Sequence, residues 1–477
     1  MKKFHKIKWL ICAFVCTVSV SAQSSLQARL DALLSDDFFI SATAGVVVYD
    51  LTEQKMLYAH NEKRLCRPAS NMKLLTSAAA LTALTPQYLF RTGLYHTGTI
   101  NENGLLRGNV YLVGGFDPEL KSSDLDALIA AMRRAGIRRI DGNLYLDVSK
   151  GDSVFWGKAW SWDDDMEAFQ PYMSPMPLNK GIARVRVTPS SAGRPPTIRT
   201  DPESSFIQVI NRASTVQRSA EPPQNSLIFT RDLADGYNNQ IVVSGVIATA
   251  PGSHERRVSL KNPVGYALTI FYEKMNREFP QSNINIGGTM QKPANANNLG
   301  YVSRNINEAI TQVNKESDNL SAEMLLYALG YQPETEPSST EMGIAVVQQM
   351  MEQIGFLPNT YRMVDGSGLS NQNYLSPEQL VSVLIYMHRS PFFDHFRQSL
   401  PVAGVDGTLV NRMRNTAAHR NATAKTGSLT SVSVMSGYVT AQNGNLLAFS
   451  IMMQNFVERT AFVAVNYIDK ICVALAE

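Results

Sequence analysis

Apolar positions along the chain follow two spacings. "SLQARLDALL" (Ser25 to Leu34) spaces its leucines as a helix does, and "AGVVVYDL" and "KMLYAHN" then read as two strands joined by the polar "TEQ". "NMKLLTSAAALTAL" predicts a helix beginning near Ser70 and ended by Pro86. Past Pro86 come short strands and many glycines, with helices at "LDALIAAMRRAGI" and "NPVGYALTIFYEKMNREF" and a β-rich stretch from about Pro171 to Val243. From about Asn305 the long helical patterns return. "SAEMLLYALG" is helical; "SSTEMGIAVVQQMMEQIG" starts with a capping box, Ser338 to Glu341, and stops at Gly355. "SPEQLVSVLIYMHRS" puts Pro377 at the first helical position behind Ser376. "SVSVMSGYVT" and "NLLAFSIMMQ" predict a hairpin turning at Asn443-Gly444, and "AFVAVNYIDKICVALAE" a closing amphipathic helix that packs Val465, Ile468, Cys472 and Leu475 on the sheet.

The first residues stand apart. Lys2, Lys3, Lys6 and Lys8 precede the apolar run "WLICAFVCTVSV", and "VSA" precedes Gln23. This predicts an export signal over residues 1–22, cleaved after Ala22, and a periplasmic protein held at most peripherally at the membrane. The whole chain of 477 residues carries a formal charge of +3. Without the four signal lysines, 40 basic side chains face 41 acidic ones, so the mature chain is near neutral at −1 and nothing points to nucleic acid. Only Cys66 and Cys472 remain of the four cysteines, and two buried thiols are expected over the alternative of a single bridge between them. No C-x-x-C and no H-E-x-x-H occurs, so neither a metal nor a cofactor is expected.

The candidate chemistry starts at "RPASNMKLL". Ser70 and Lys73, three residues apart, share one face of a helix start. A serine hydroxyl needs a base within hydrogen-bond reach, and a lysine serves if burial or a nearby cation keeps it neutral. On its own this is the pattern of any helix start with a surface lysine. Two further elements raise its weight: Ser317-Asp318-Asn319 at a helix start and Lys425-Thr426-Gly427 entering a strand. S-x-x-K, S-D-N and K-T-G in this order are the known signature of class A β-lactamases and penicillin-binding proteins. The roles follow from the chemistry. Ser70 is acylated and Lys73 is its general base. Ser317 relays the proton to the leaving amine, and Asn319 orients Lys73 and the substrate amide. Lys425 adds a second positive charge and, with Thr426, holds a terminal carboxylate. Gly427 lets the substrate lie close, and the N–H groups of Ser70 and Ser428 receive the oxyanion.

The chain resembles the class C low-molecular-mass penicillin-binding proteins, DacB-like D-alanyl-D-alanine carboxypeptidases/endopeptidases, over essentially its mature length. "VYLVGGFDPEL", "WSWDDD", "VDGSGLSNQNYLSP", "PVAGVDGTLVNRM" and "AKTGSLTSVSVMSGYV" carry the likeness. The resemblance implies an α/β (α+β) penicillin-recognising domain split by inserted β-rich domains, which fill the gap between Ser70 and Ser317, an offset of 317 − 70 = 247. The expected catalytic domain is 23–88 with 298–477, the second domain 89–172 with 244–297, and the third 173–243. An antiparallel sheet would carry the terminal helices on one face and a helical cluster on the other. The resemblance also implies peptidoglycan stem peptides as substrates, β-lactams as covalent inhibitors, and a substrate contact at Asp164; otherwise Asp164 is a solvated acid beside a packing wedge of Trp160 and Trp162. It places "DGSGLS" near the site, although Asn371 stands where relatives often have a basic residue. Two other readings remain. A β-lactamase is disfavoured because no glutamate between Asn319 and Lys425 has an asparagine four residues on; a non-catalytic wall-binding module is disfavoured by the intact motifs. His419 is expected in a surface loop, and Met350, Met351, Met452 and Met453 in the core.

Overall fold

The computed structural model describes residues 26–218, 226–231, 239–250, 252–333, 337–457 and 460–477. The expected export signal lies outside them. By contacts the chain forms two compact units, one of Met1–Thr85, Ile310–Asp318 and Ile344–Glu477, the other of Pro86–Ala309 and Asn319–Gly343.

The first unit is built on a five-stranded antiparallel sheet. Its order is Thr423–Leu429, Val432–Thr440, Leu446–Gln454, Thr43–Asp50, Lys55–His60. The third and fourth strands come from opposite ends of the chain, with Val46 opposite Ile451 and Val48 opposite Phe449. The central strands are buried on both faces, which is why "LLAFSIMMQ" is almost continuously apolar. On one face Val46, Val48, Met435, Phe449 and Ile451 pack with Leu30 of the helix at 26–34 and with Ile468, Ile471, Cys472 and Leu475 of the closing helix Ala461–Ala476. Val465 is only half-buried, because the inward stripe runs through Ala464 instead. The opposite face takes the helix Pro377–Arg389: a Cβ on Gly45 would meet Pro377 at 2.8 Å, and the Tyr438 hydroxyl donates to Leu384 O at 2.8 Å. That helix begins with the expected serine cap. Ser376 Oγ accepts from Gln379 N, and Gln379 Oε1 accepts from Ser376 N.

The second unit holds a seven-stranded mixed sheet, with Leu89–His96, Val110–Val113 and Arg139–Asp147 at its centre, and two three-stranded sheets. The predicted helices lie at Ser122–Arg134 and Pro263–Glu278. Leu112, Leu144 and Leu146 of the sheet share one core with Leu125 and Leu128 of the first helix and Phe271 of the second. The helix Asn319–Gly330, buried all round, belongs here too.

Two local readings are corrected. The helix Thr340–Ile354 is capped by Ser339, whose Oγ accepts from Met342 N at 3.2 Å; Ser338 is buried one residue earlier and donates to Tyr327 O. Its other end is as expected. Gly355 takes a φ of 104°, so its own N–H reaches Glu352 O and that of Phe356 reaches Met351 O. Trp162 is 72% exposed and wedges nothing, whereas Trp160 is buried against Trp156. Cys66 and Cys472 are free and buried, the four methionines are core residues, and His419 is half-buried in the loop before the Lys425 strand. Among the described residues no helix is long and apolar enough to cross a membrane.

Candidate active site

Ser70 lies in a single 3-10 turn, Ala69–Asn71, that runs into the helix Met72–Ala83. Pro68 leads into the turn, and Ala69 takes a left-handed φ of 45°. A non-glycine residue adopts that region only where its surroundings hold it there. One turn on, Lys73 is fully buried. Its Nζ is 3.2 Å from Ser70 Oγ and donates to Ser367 O at 2.6 Å. An amine with one N–H pinned by a fixed carbonyl has few orientations left.

Lys425 comes from the edge strand Thr423–Leu429, opposite Ser436. It too is fully buried, and its Nζ donates to Ser317 Oγ at 2.9 Å and to Thr426 O at 2.8 Å. Burial, and then the charge of Lys73, push the Lys425 amine well below the ordinary lysine value. Burial and the neighbouring charge both make the Lys425 proton costly to keep. Ser317 has a φ of 59°, turning the chain sharply after the helix Ile306–Lys315.

The strand and the serine turn touch. A Cβ on Gly427 would sit 2.7 Å from Ser70 N and 3.2 Å from Ala69 Cβ. With its oxygen turned toward donors, the buried Asn71 amide donates to Lys425 O at 2.9 Å and accepts from Ser436. Thr426 Oγ1 donates to Thr408 Oγ1 at 2.7 Å, Lys315 pairs with Asp406, and Asp406 Oδ1 accepts from Val402 N at 2.9 Å. Behind the serine helix, Asn314 Nδ2 donates to Ser77 Oγ and Ser399 Oγ, and Ser77 Oγ donates to Lys73 O. These bonds fix the Ser317 segment to the lysine helix.

The first unit therefore gathers Ser70, Lys73, Ser317, Lys425, Thr426 and Gly427, with Ser428 exposed on the same strand. Asn319 and Asp164 belong to the second unit. Asn319 opens its helix and donates to Phe169 O at 2.6 Å. Asp164 is half-buried in the turn Trp162–Asp164; partial burial, then Asp163 and Glu167, raise its carboxyl above the ordinary range. The neighbouring Asp165 is the structural acid. It is buried, accepts from the Tyr172 hydroxyl, and pairs with Arg231 and Lys261. Sequence reasoning missed Asn71 and Thr408, and it placed "DGSGLS" near the site without a role for Asp365 or Ser367. Asn71 sits inside the S-x-x-K stretch and Asp365 and Ser367 inside "DGSGLS", but only the fold shows what they hold. Among the described residues no group of three or more histidine, cysteine, aspartate or glutamate side chains could hold a metal ion.

Comparison with known proteins supplies the lineage. The family model described as the D-Ala-D-Ala carboxypeptidase 3 (S13) family matches residues 26–476. A D-alanyl-D-alanine carboxypeptidase of Actinomadura sp. (strain R39) is 32% identical, covering 95% of this chain and 85% of its own. The D-alanyl-D-alanine carboxypeptidase DacB of Haemophilus influenzae is 28% identical, covering 94% and 93%. The crystal structure of penicillin binding protein 4 from H. influenzae superposes with a TM-score of 0.77 at 25% identity, covering 92% and 98%. With that match over nearly its whole length, this chain belongs to the D-Ala-D-Ala carboxypeptidase 3 (S13) family.

Proposed function

We propose that the chain hydrolyses peptidoglycan stem peptides that end in D-Ala-D-Ala, or are cross-linked through D-Ala, by way of an acyl-enzyme on Ser70. The observation that carries this reading is Ser70 Oγ, 3.2 Å from the buried Lys73 amine, beside a second buried lysine 2.9 Å from Ser317. The neutral Lys73 amine takes the Ser70 proton as Oγ attacks the scissile carbonyl carbon. The oxygen left negative is held by the N–H groups of Ser70 and Ser428. Collapse breaks the peptide bond, and the proton reaches the leaving amine through Ser317. Water then attacks the ester and frees Ser70. Lys425 and Thr426 bind the terminal carboxylate, Asn319 holds the substrate amide, and Asp164 meets the amine of the stem's diamino residue.

β-Lactams, whose ring amide occupies the same place, acylate Ser70 and leave slowly. The mature protein works in the periplasm, after loss of residues 1–22. The long insertion forms two domains, 89–172 with 244–297 and 173–243, which hold polymeric substrate. Incubation with labelled penicillin followed by peptide mapping tests the reading: the adduct is expected on Ser70 and absent from Ser70→Ala at unchanged thermal stability. An adduct on another residue would sink it. Masses of products from purified wall peptides then assign the reaction, since loss of D-Ala marks the carboxypeptidase and monomers from dimers mark the endopeptidase.

A further inference from the structure

We propose that Asp365 is a positioning residue for Lys73, acting through the main-chain carbonyl of Ser367; this rests on the reading of Ser70 and Lys73 given above. Asp365 is 1% exposed. Its Oδ1 accepts from Gly368 N at 2.8 Å and Asn373 Nδ2 at 2.7 Å, and its Oδ2 accepts from Ser370 N at 2.7 Å. One carboxylate thus folds the chain from 365 to 373 around itself. Asn373, fully buried, closes the ring by donating to Ser370 O and accepting from Val364 N.

The product of this folding is a pair of outward carbonyls. Gly366 O accepts from Thr76 Oγ1 at 2.8 Å, and Ser367 O accepts from Lys73 Nζ at 2.6 Å. Thr76 and Lys73 are neighbours on one helical face, so the loop reads the helix at two points three residues apart. Its seat is tight. Gly368 has a φ of 82°, and a Cβ there would lie 1.8 Å from Ala69 O, inside the turn that carries Ser70. The loop therefore sets the height of the serine turn and the direction of the lysine amine together.

A carboxylate, and not an amide, is required at the centre. The N–H groups of Gly368, Ser370 and Asn373 converge on its two oxygens, and an asparagine would turn an NH2 donor toward one of those donors. In Asp365→Asn one arm of the loop is forced outward, Ser367 O retreats from Nζ, and the amine is no longer aimed. Misplacement of a catalytic group by about 1 Å costs up to about 100-fold in rate.

The test is acylation by benzylpenicillin at saturating and sub-saturating concentrations, with thermal unfolding of each variant recorded. For Asp365→Asn the limiting acylation rate is expected to fall at least about tenfold while the half-saturating concentration changes less than about twofold, the signature of an interaction used only in the reacting complex. An unchanged limiting rate, or a loss confined to the half-saturating concentration, overturns the proposal. Should Asp365→Asn not fold, Asn373→Ala removes one donor to Oδ1 and leaves the carboxylate, and a smaller fall in the same parameter is expected. Ser70→Ala, run alongside, separates the two claims: an adduct on that variant sinks the nucleophile, whereas a silent Ser70→Ala with a fully active Asp365→Asn sinks only the role of Asp365.

Discussion

Consider the substitution Gly427→Ala. Its added Cβ falls 2.7 Å from Ser70 N, 2.7 Å from Val434 Cγ2 and 3.2 Å from Ala69 Cβ. Ordinary contact begins near 3.4 Å, so something must give by several tenths of an ångström. The valine methyl can rotate away. The serine turn cannot, because Ala69 is already left-handed and its carbonyl is pressed against Gly368 from behind. Overpacking of this kind costs about 1–3 kcal/mol of stability, a few degrees in unfolding temperature for a chain this large. The larger effect is on the reaction. The crowded atom is the amide expected to receive the oxyanion, and loss of one such donor costs about 100- to 1000-fold in rate, or about 3–4 kcal/mol. Stopped-flow acylation with a chromogenic β-lactam, beside a calorimetric melt, reads both quantities. The expected result is a collapse in acylation with only a small fall in melting temperature. A variant acylated within about threefold of the parent would refute the reasoning, since an oxyanion donor is worth far more than that.

Two further outcomes concern buried charge. Lys425 folds with its amine well below the ordinary value of 10.5, so between those values the unfolded chain binds a proton that the folded chain does not, and stability rises with pH up to about 10.5. Lys425→Met should remove that slope, melt higher than the parent at neutral pH and lose acylation; parallel melting curves from pH 7 to 10 would contradict this. In the second unit, burial lifts the Asp117 carboxyl from 3.8 to about 6, against the pull of Glu119 N and Arg304. The folded chain then holds the extra proton between those values, so stability falls as pH rises through them, by on the order of 3 kcal/mol. Urea melts at pH 4 and 7 should show that fall in the parent and not in Asp117→Asn.

The sequence displayed the site better than it displayed the scaffold around it. Ser70, Lys73, Ser317 and Lys425 are readable because side-chain chemistry demands those types at those offsets. The carbonyl of Ser367 is not, because every residue has one and only the fold decides where it points. Asp365 shows the same limit from the other side: a carboxylate in "DGSGLS" is visible, but its three donors become neighbours only after the loop has closed. Helix ends were legible where a cap and a proline coincide, as at Ser376-Pro377, and slipped by one residue where two serines compete, at Ser338 and Ser339. Trp162 misled because a large apolar ring is usually covered, and nothing in its sequence neighbourhood says that this one is bare.

The pairing of Thr43–Asp50 with Leu446–Gln454 has a temporal consequence. A ribosome adds about 5–20 residues per second, so the strand waits on the order of 20–80 seconds for its neighbour to be made. Until then the strand that will become the sheet's interior is an open edge. Lys425 emerges just before that neighbour. A chain broken off anywhere upstream of it lacks both that neighbour and the amine that reaches Ser317.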